Sequence, residues 1–446
     1  MYRLPAIGTR TGLTKCRTST VPRLPPAGIE PPHRSEPIHH RSRQKELVLF
    51  PPRAFGDYDD RFAPVVARFE EHLASTSYGG ASLAVFIDGD PVIDVWGGLA
   101  DVTRGREWQR ETLALLFSCS KSVATIVMLT LVERGVIDLD AEVSRYWPEF
   151  AANGKDNVTV RDVLAHRAGV PLVDSPLTFD DVCAGGPVVA ALEKQAPFWE
   201  PGSAHAYHAI TVGAVLGEIV RRATGRTFGT VLREELSEPF GLDLWMGLPS
   251  QLHERAALFL PPVLSEFTDG TNAVAEQISD DDRPLRALTL NGALEIPVFG
   301  TTVANSWNRP SLWQSELPAA NAMSTARSLA KLHAALVSKV EDCNSVRTSP
   351  IVGASLLDST RVVKSEGEPA IGADKGPYPK WGTGFMIPAE NRPMLGSNSF
   401  GHDGAAGGLC FADSAARLGF AFLPSIMGGV PDRRVDVIVD ELRDCL

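Results

Sequence analysis

The stretch LALLFSCSKSVATIVMLTLVERG, residues 113–135, decides how this chain is read. Its apolar opening, Leu113 to Phe117, leads into a helical pattern over 120–134 that is closed by Gly135, a residue suited to the left-handed turn after a helix end. The helix is apolar nearly all round, which predicts burial. Ser118 stands where that helix begins. There the positive end of the helix dipole and free backbone N–H groups favour a nucleophile whose reaction creates an oxyanion. Lys121, three residues on, shares the face of Ser118. Burial penalises an ammonium, so such a lysine has a lowered pKa and can accept a proton from a serine hydroxyl. The plainer alternative is a helix cap beside a surface charge, because Ser-x-x-Lys arises by chance about once in a few hundred residues.

Outward from this stretch, the chain alternates sheet and helix signals. On the N-terminal side, Asp57 or Asp59 is placed to cap a helix in which Phe62, Val65, Val66, Phe69 and Leu73 recur at helical spacing. Two β-rich runs then flank Asp88-Gly89, a strong hairpin signal. At the far end, GTGFMIP, SFGHDG, GGLCFAD and RLGFAFLP read as short strands bounded by glycine, followed by a final helix over about 432–445. Tight turns between consecutive strands require an antiparallel sheet. Helical patterns at 159–166, 211–223, 228–236 and 324–338, the last capped by Ser324, occupy the middle. The reading is an α/β (α+β) fold. Its sheet part comes from about 55–115 and 325–446, and a mostly helical part from about 116–324.

Composition bounds the function. The 446 residues are 44 % hydrophobic and 22 % charged, with a formal net charge of −11. Residues 1–54 carry ten basic and three acidic side chains together with nine prolines, and read as a disordered basic tail. The remaining chain is strongly acidic and would repel phosphate backbones, so no nucleic-acid partner is expected. No run approaches the roughly 18 apolar residues of a membrane helix. Six scattered cysteines without a CxxC pair point to reduced, cytoplasmic usage. There is no GxSxG elbow, HExxH, Walker A or strand-to-helix GxGxxG.

The segments VWGGLAD, LFSCSKSVATIVMLTLVERGVIDLDAEVSRYWPEF, VTVRDVLAHRAGV, FWEPGSAHAYHAITVGAVLGEIVRRATG, NAMSTARSLAKLHAAL and FGHDGAAGGLCFAD together resemble the serine β-lactamase-related superfamily. They are most similar to its class C-like, family VIII carboxylesterases. The resemblance spans about 55–446 and implies the β-lactamase/transpeptidase-like fold. It implies that Ser118 is the acylated nucleophile, Lys121 its activating partner and Tyr207 a proton relay. A tyrosine held near an ammonium is expected to have a lowered pKa and to serve as general base; its alternative is simple packing at a helix start. His402-Asp403-Gly404 would occupy the third motif, His402 and Gly404 contacting substrate. The backbone amides of Ser118 and Ala405 would form the oxyanion hole. His402 could instead be a metal ligand or core histidine, though no partner stands at ligand spacing. Ala209 replaces the asparagine of the second motif, which removes a hydrogen-bond partner for a β-lactam and favours esters; His208 could partly substitute.

His166, Trp96-Gly97-Gly98 and Arg327 read as structural. The expected function is therefore a serine carboxylesterase acting on a small-molecule ester through an acyl-enzyme at Ser118, with no metal or organic cofactor. The alternatives are acyl transfer by the same chemistry, a β-lactamase or D-Ala-D-Ala peptidase, and a silent binding protein.

Overall fold

The computed structural model describes residues 53–76, 78–260, 282–296, 304–372, 376–428 and 432–446, so nearly all of the basic tail read over 1–54 lies outside the described residues. Strands run β1 (Phe55–Tyr58), β2 (Gly80–Ile87), β3 (Asp90–Asp101), β4 (Arg106–Glu107), β5 (Ala114–Leu115), β6 (Leu244–Trp245), β7 (Met323–Ser324), β8 (Lys380–Trp381), β9 (Met386–Ile387), β10 (Ser399–Asp403), β11 (Leu409–Asp413) and β12 (Leu418–Pro424). The main sheet is nine-stranded and antiparallel, in the order β1-β3-β2-β12-β11-β10-β9-β8, with β4 added to β3. The β2–β3 turn uses Asp88 and Gly89 at φ +53° and +88°, the paired positive values of a tight hairpin.

The chain's entry differs from the sequence expectation. Strand β1 precedes the first helix, and all four of its residues are exposed at the sheet edge, so no apolar alternation marks it. Asp59 caps a single 3-10 turn at Asp60–Phe62 before helix α1 (Ala63–Ala74).

Side-chain size explains how the central strands are covered. Leu83 and Val85 of β2 and Phe420 and Phe422 of β12 face α1 and the C-terminal helix. Ala84 and Ala421, on the opposite face, are small. Small residues there let a helix lie close: a Cβ on Gly419 would stand 2.2 Å from the carbonyl oxygen of Ala330 and 2.4 Å from the nitrogen of Ala334. That helix spans Ala326–Val337, and its cap is Thr325, whose side chain accepts from Ser328 N–H; Ser324 belongs to β7 instead.

The stretch at 113–135 contains helix α2 (Cys119–Glu133), buried from Cys119 through Leu131. Its approach is held by a small sheet in which Leu115 pairs with Met323, and Leu116 N–H donates to Ala322 at 2.9 Å. Helix α3 (Val160–Leu164) carries a capping box of Thr159 and Asp162. Helix α4 (Thr211–Thr224) ends at Gly225 in the left-handed conformation, and α5 is the helix Ala326–Val337. Helix α6 (Arg434–Asp444) closes the described chain. The pattern at 228–236 resolves into Phe228–Leu232 followed by a π turn at Arg233–Ser237.

Candidate active site

Ser118 occupies the N-cap of α2. The residue before it, Phe117, holds φ +46°, a conformation uncommon for a bulky side chain. Packing compensates: the Phe117 ring lies 4.7 Å from Phe259 and 4.8 Å from Trp307, centroid to centroid. The sharp turn tips Ser118 out of the core, leaving it half-buried while Phe117 and Cys119 are buried.

Lys121 is 4 % exposed. Its Nζ lies 3.1 Å from Ser118 Oγ, 2.7 Å from the carbonyl oxygen of Ala209 and 3.0 Å from that of Ala319. Burial pushes its pKa down to about 7, with the Asp403 carboxylate pulling the other way. This arrangement suits both protonation states. An ammonium has three donors for the three oxygens. A neutral amine keeps two donors for the two carbonyls and turns its lone pair to the Ser118 hydroxyl.

Tyr207 donates its phenol to Ser118 Oγ at 2.7 Å, and the Lys121 nitrogen stands 4.7 Å from the centre of its ring. The expectation of a lowered tyrosine pKa is overturned. Burial raises it well above the ordinary value, and the hydrogen bond to Ser118 only partly offsets this. The reason is physical: desolvation of the buried phenol outweighs the pull of a nearby cation, and the Lys121 amine, with its pKa lowered to about 7, is only partly charged near neutral pH. Between the two groups, the lysine is the one poised to accept a proton.

The third motif lies at the end of β10. His402 is buried; its Nδ1 donates to the carbonyl oxygen of Asp403 at 2.7 Å, and its Nε2 has no partner among the described residues. The His402 ring is 6.1 Å from that of Tyr207. A Cβ on Gly404 would meet the Leu116 carbonyl oxygen at 2.7 Å and the Phe117 Cβ at 3.6 Å. Gly404 thus lets the β10 end close against the turn that carries Ser118, rather than serving only as clearance for substrate. Among the described residues, neither the Ser118 nor the Ala405 amide has a hydrogen-bond acceptor, and Ala405 is exposed.

His208 is not brought into this arrangement. It is buried, Val170 N–H donates to its Nε2 at 3.1 Å, and its Nδ1 donates to Ala206 at 2.7 Å. Burial lowers its pKa to about 4. Both ring nitrogens are committed to backbone, so it leaves nothing to replace the missing asparagine. Ala209 contributes its carbonyl to Lys121. His166 accepts from His208 N–H at 3.2 Å, a backbone role. Arg327 pairs at 3.0 Å with Asp94, which Arg110 also binds.

One neighbour carried no sequence signal. Trp381 of β8 lies parallel to the Tyr207 ring, centroids 5.8 Å apart with an interplanar angle of 10°. A lone tryptophan in KWGTG has no spacing relation to residue 207, and only sheet closure brings them together.

The beta-lactamase family model matches residues 65–443. The chain is 34 % identical over 294 residues to the esterase/beta-lactamase LipL of Mycobacterium tuberculosis, covering 64 % of this chain and 64 % of that relative. In structure it resembles a family VIII carboxylesterase with TM-score 0.74 and 29 % identity, covering 88 % of this chain and all of that one. A penicillin-binding protein homologue from Caulobacter crescentus gives TM-score 0.73 and 31 % identity with the same coverage. No helix among the described residues is long and apolar enough to cross a membrane.

Proposed function

The chain belongs to the beta-lactamase family, and from that premise we propose that it is a serine hydrolase that cleaves carboxylic esters of small molecules through an acyl-enzyme on Ser118. The observation that carries this reading is the buried Lys121 amine, with a pKa of about 7 and 3.1 Å from Ser118 Oγ. In the proposed reaction the neutral amine takes the Ser118 proton as Oγ attacks the ester carbonyl. The amides of Ser118 and Ala405 receive the developing oxyanion. Tyr207, protonated throughout the resting state, donates its phenolic proton to the departing alkoxide and is reprotonated from the Lys121 ammonium. Lys121 then takes a proton from water as it attacks the acyl carbonyl, the acyl–Oγ bond breaks, and the proton returns through Tyr207 to Ser118 Oγ as the acid leaves.

Esters are favoured over β-lactams because position 209 offers no side-chain donor to a substrate amide and His208 is turned into the core. Support also comes from the similarity to a family VIII carboxylesterase. The test is a paired assay of wild type and Ser118→Ala on a p-nitrophenyl ester series and a chromogenic cephalosporin, with fluorophosphonate labelling alongside. Short esters should turn over, the cephalosporin poorly, and Ser118→Ala should lose both turnover and labelling. Faster cephalosporin than ester turnover would reverse the assignment, and a folded wild type that takes no label at Ser118 would refute the acyl-enzyme.

A further inference from the structure

The turn from Gly404 to Gly408, which carries the Ala405 amide, is held by Arg434 at its Ala406 carbonyl, while Arg392 holds Asp403 just before it. Within the turn, Gly404 N–H donates to Gly408 and Gly407 N–H to Gly404, each at 2.8 Å. From the first turn of α6, Arg434 Nη2 lies 2.8 Å from the Ala406 carbonyl oxygen, 2.9 Å from that of Ile426 and 2.6 Å from Asp432 Oδ2. The Asp432–Arg434 pair sits where two side chains are missing. A Cβ on Gly407 would fall 2.0 Å from Asp432 Oδ2, and one on Gly428 would fall 1.9 Å from it. On the other flank, the buried Arg392 binds Asp403 at 3.2 Å, Asp436 at 2.5 Å and the Asp432 carbonyl at 3.3 Å.

The charges balance. Arg392, Arg433 and Arg434 face Asp403, Asp432 and Asp436, so no cation is left over to bind an anionic ligand. An apolar cluster would serve stability as well as a buried ionic one. What guanidinium groups add is direction: they hold named carbonyl oxygens in place.

We propose that Arg434 is a positioning residue that aligns the Ala405 amide with the oxyanion by fixing the carbonyl of the adjacent Ala406. This rests on the reading of Ala405 as an oxyanion donor. An interaction that acts only as charge develops on the carbonyl oxygen should change kcat and leave KM alone.

The test measures steady-state ester hydrolysis by Arg434→Met, Arg434→Lys and, as a control in the same helical turn, Arg433→Met, each confirmed folded by circular dichroism. Removing one oxyanion donor outright typically costs a factor of about 100–1000. Misaligning one should therefore lower kcat by about 10- to 100-fold in Arg434→Met, with KM within about twofold. Arg434→Lys, which keeps a cation beside Asp432 but loses the planar guanidinium that spans Asp432 and the two carbonyls through Nε and Nη2, should fall between. The rising limb of the pH profile should stay near the Lys121 value of about 7 in all of them, and Arg433→Met should match wild type. A folded Arg434→Met with wild-type kcat, a loss confined to KM, or an equal loss in Arg433→Met would overturn the proposal. If Arg434→Met does not fold, the lysine variant decides: undiminished kcat overturns it, and a partial kcat loss at constant KM and pH midpoint supports it. Retained turnover in Ser118→Ala would instead sink the acyl-enzyme reading on which the inference stands.

Discussion

Acylation of Ser118 should rise with pH along a single limb centred on the Lys121 pKa of about 7. Only the neutral amine can take the serine proton, so at pH 5, two units below the midpoint, about one molecule in a hundred is competent. The rate there should be about a hundredfold below its plateau, equivalent to ~2.7 kcal/mol in apparent barrier. The chief cause of the lowered pKa is burial, and the strongest opposing influence is the Asp403 carboxylate. Asp403→Asn should accordingly move the midpoint lower. The assay is kcat/KM for a neutral ester between pH 5 and 9 at constant ionic strength, for wild type, Asp403→Asn and Tyr207→Phe. Because Tyr207 is held as a phenol by burial, Tyr207→Phe should lower the plateau and keep the midpoint. A midpoint near 10, or a limb that vanishes in Tyr207→Phe while Lys121 is intact, would refute the assignment of the lysine as base.

The same group should leave a mark on stability. Its folded pKa of about 7 lies below the ordinary 10.5, so between those values the unfolded chain holds a proton that the folded chain does not. Stability must therefore rise with pH across that window by up to ~1.4 kcal/mol per unit, and denaturant titrations of Lys121→Met should show that slope reduced. Gly404→Ala should cost about 1–3 kcal/mol and most of the activity, because its Cβ would stand 2.7 Å from the backbone oxygen of Leu116; an unchanged Tm with full turnover would contradict the close approach. Trp381→Ala should lower kcat/KM several-fold by freeing the Tyr207 ring it stacks on, about 0.5–1.5 kcal/mol for an aromatic pair, and Trp381→Phe should restore most of it.

Much of this was legible because it is local. A buried helix after an apolar run, a serine at its head and a lysine one turn on are all set by spacing within residues 113–135. The Asp88-Gly89 hairpin is similarly local. Features that depend on what the sheet brings together were not legible. Strand β1 has four exposed residues and pairs only through its backbone with β3, so no pattern announces it. The pKa of Tyr207 turns on burial by elements distant in the chain, which the expected closeness of the Lys121 cation does not report. His208 looked available because the next residue had lost an amide, yet its ring points to Val170 and Ala206. Trp381 and Arg434 gain meaning only from the juxtaposition of β8 with Tyr207 and of α6 with the turn after β10.

The pairing of β2 with β12 also bears on how the molecule comes into being. Gly80 N–H donates to Ser425 Oγ across 345 positions of chain, and the whole β2 edge from Ala81 to Ile87 is satisfied by β12. During synthesis, at roughly 5–20 residues per second, the β2–β3 hairpin must wait tens of seconds with an apolar edge unpaired. That interval is the period of greatest exposure to aggregation. The strand that brings the Ala405 turn beside Ser118, β10 at Ser399–Asp403, is synthesised long after Ser118 itself. A ribosome-bound chain therefore holds Ser118 long before Lys121, Tyr207 and the Ala405 turn can be assembled around it, and chaperone demand should fall when β12 is released.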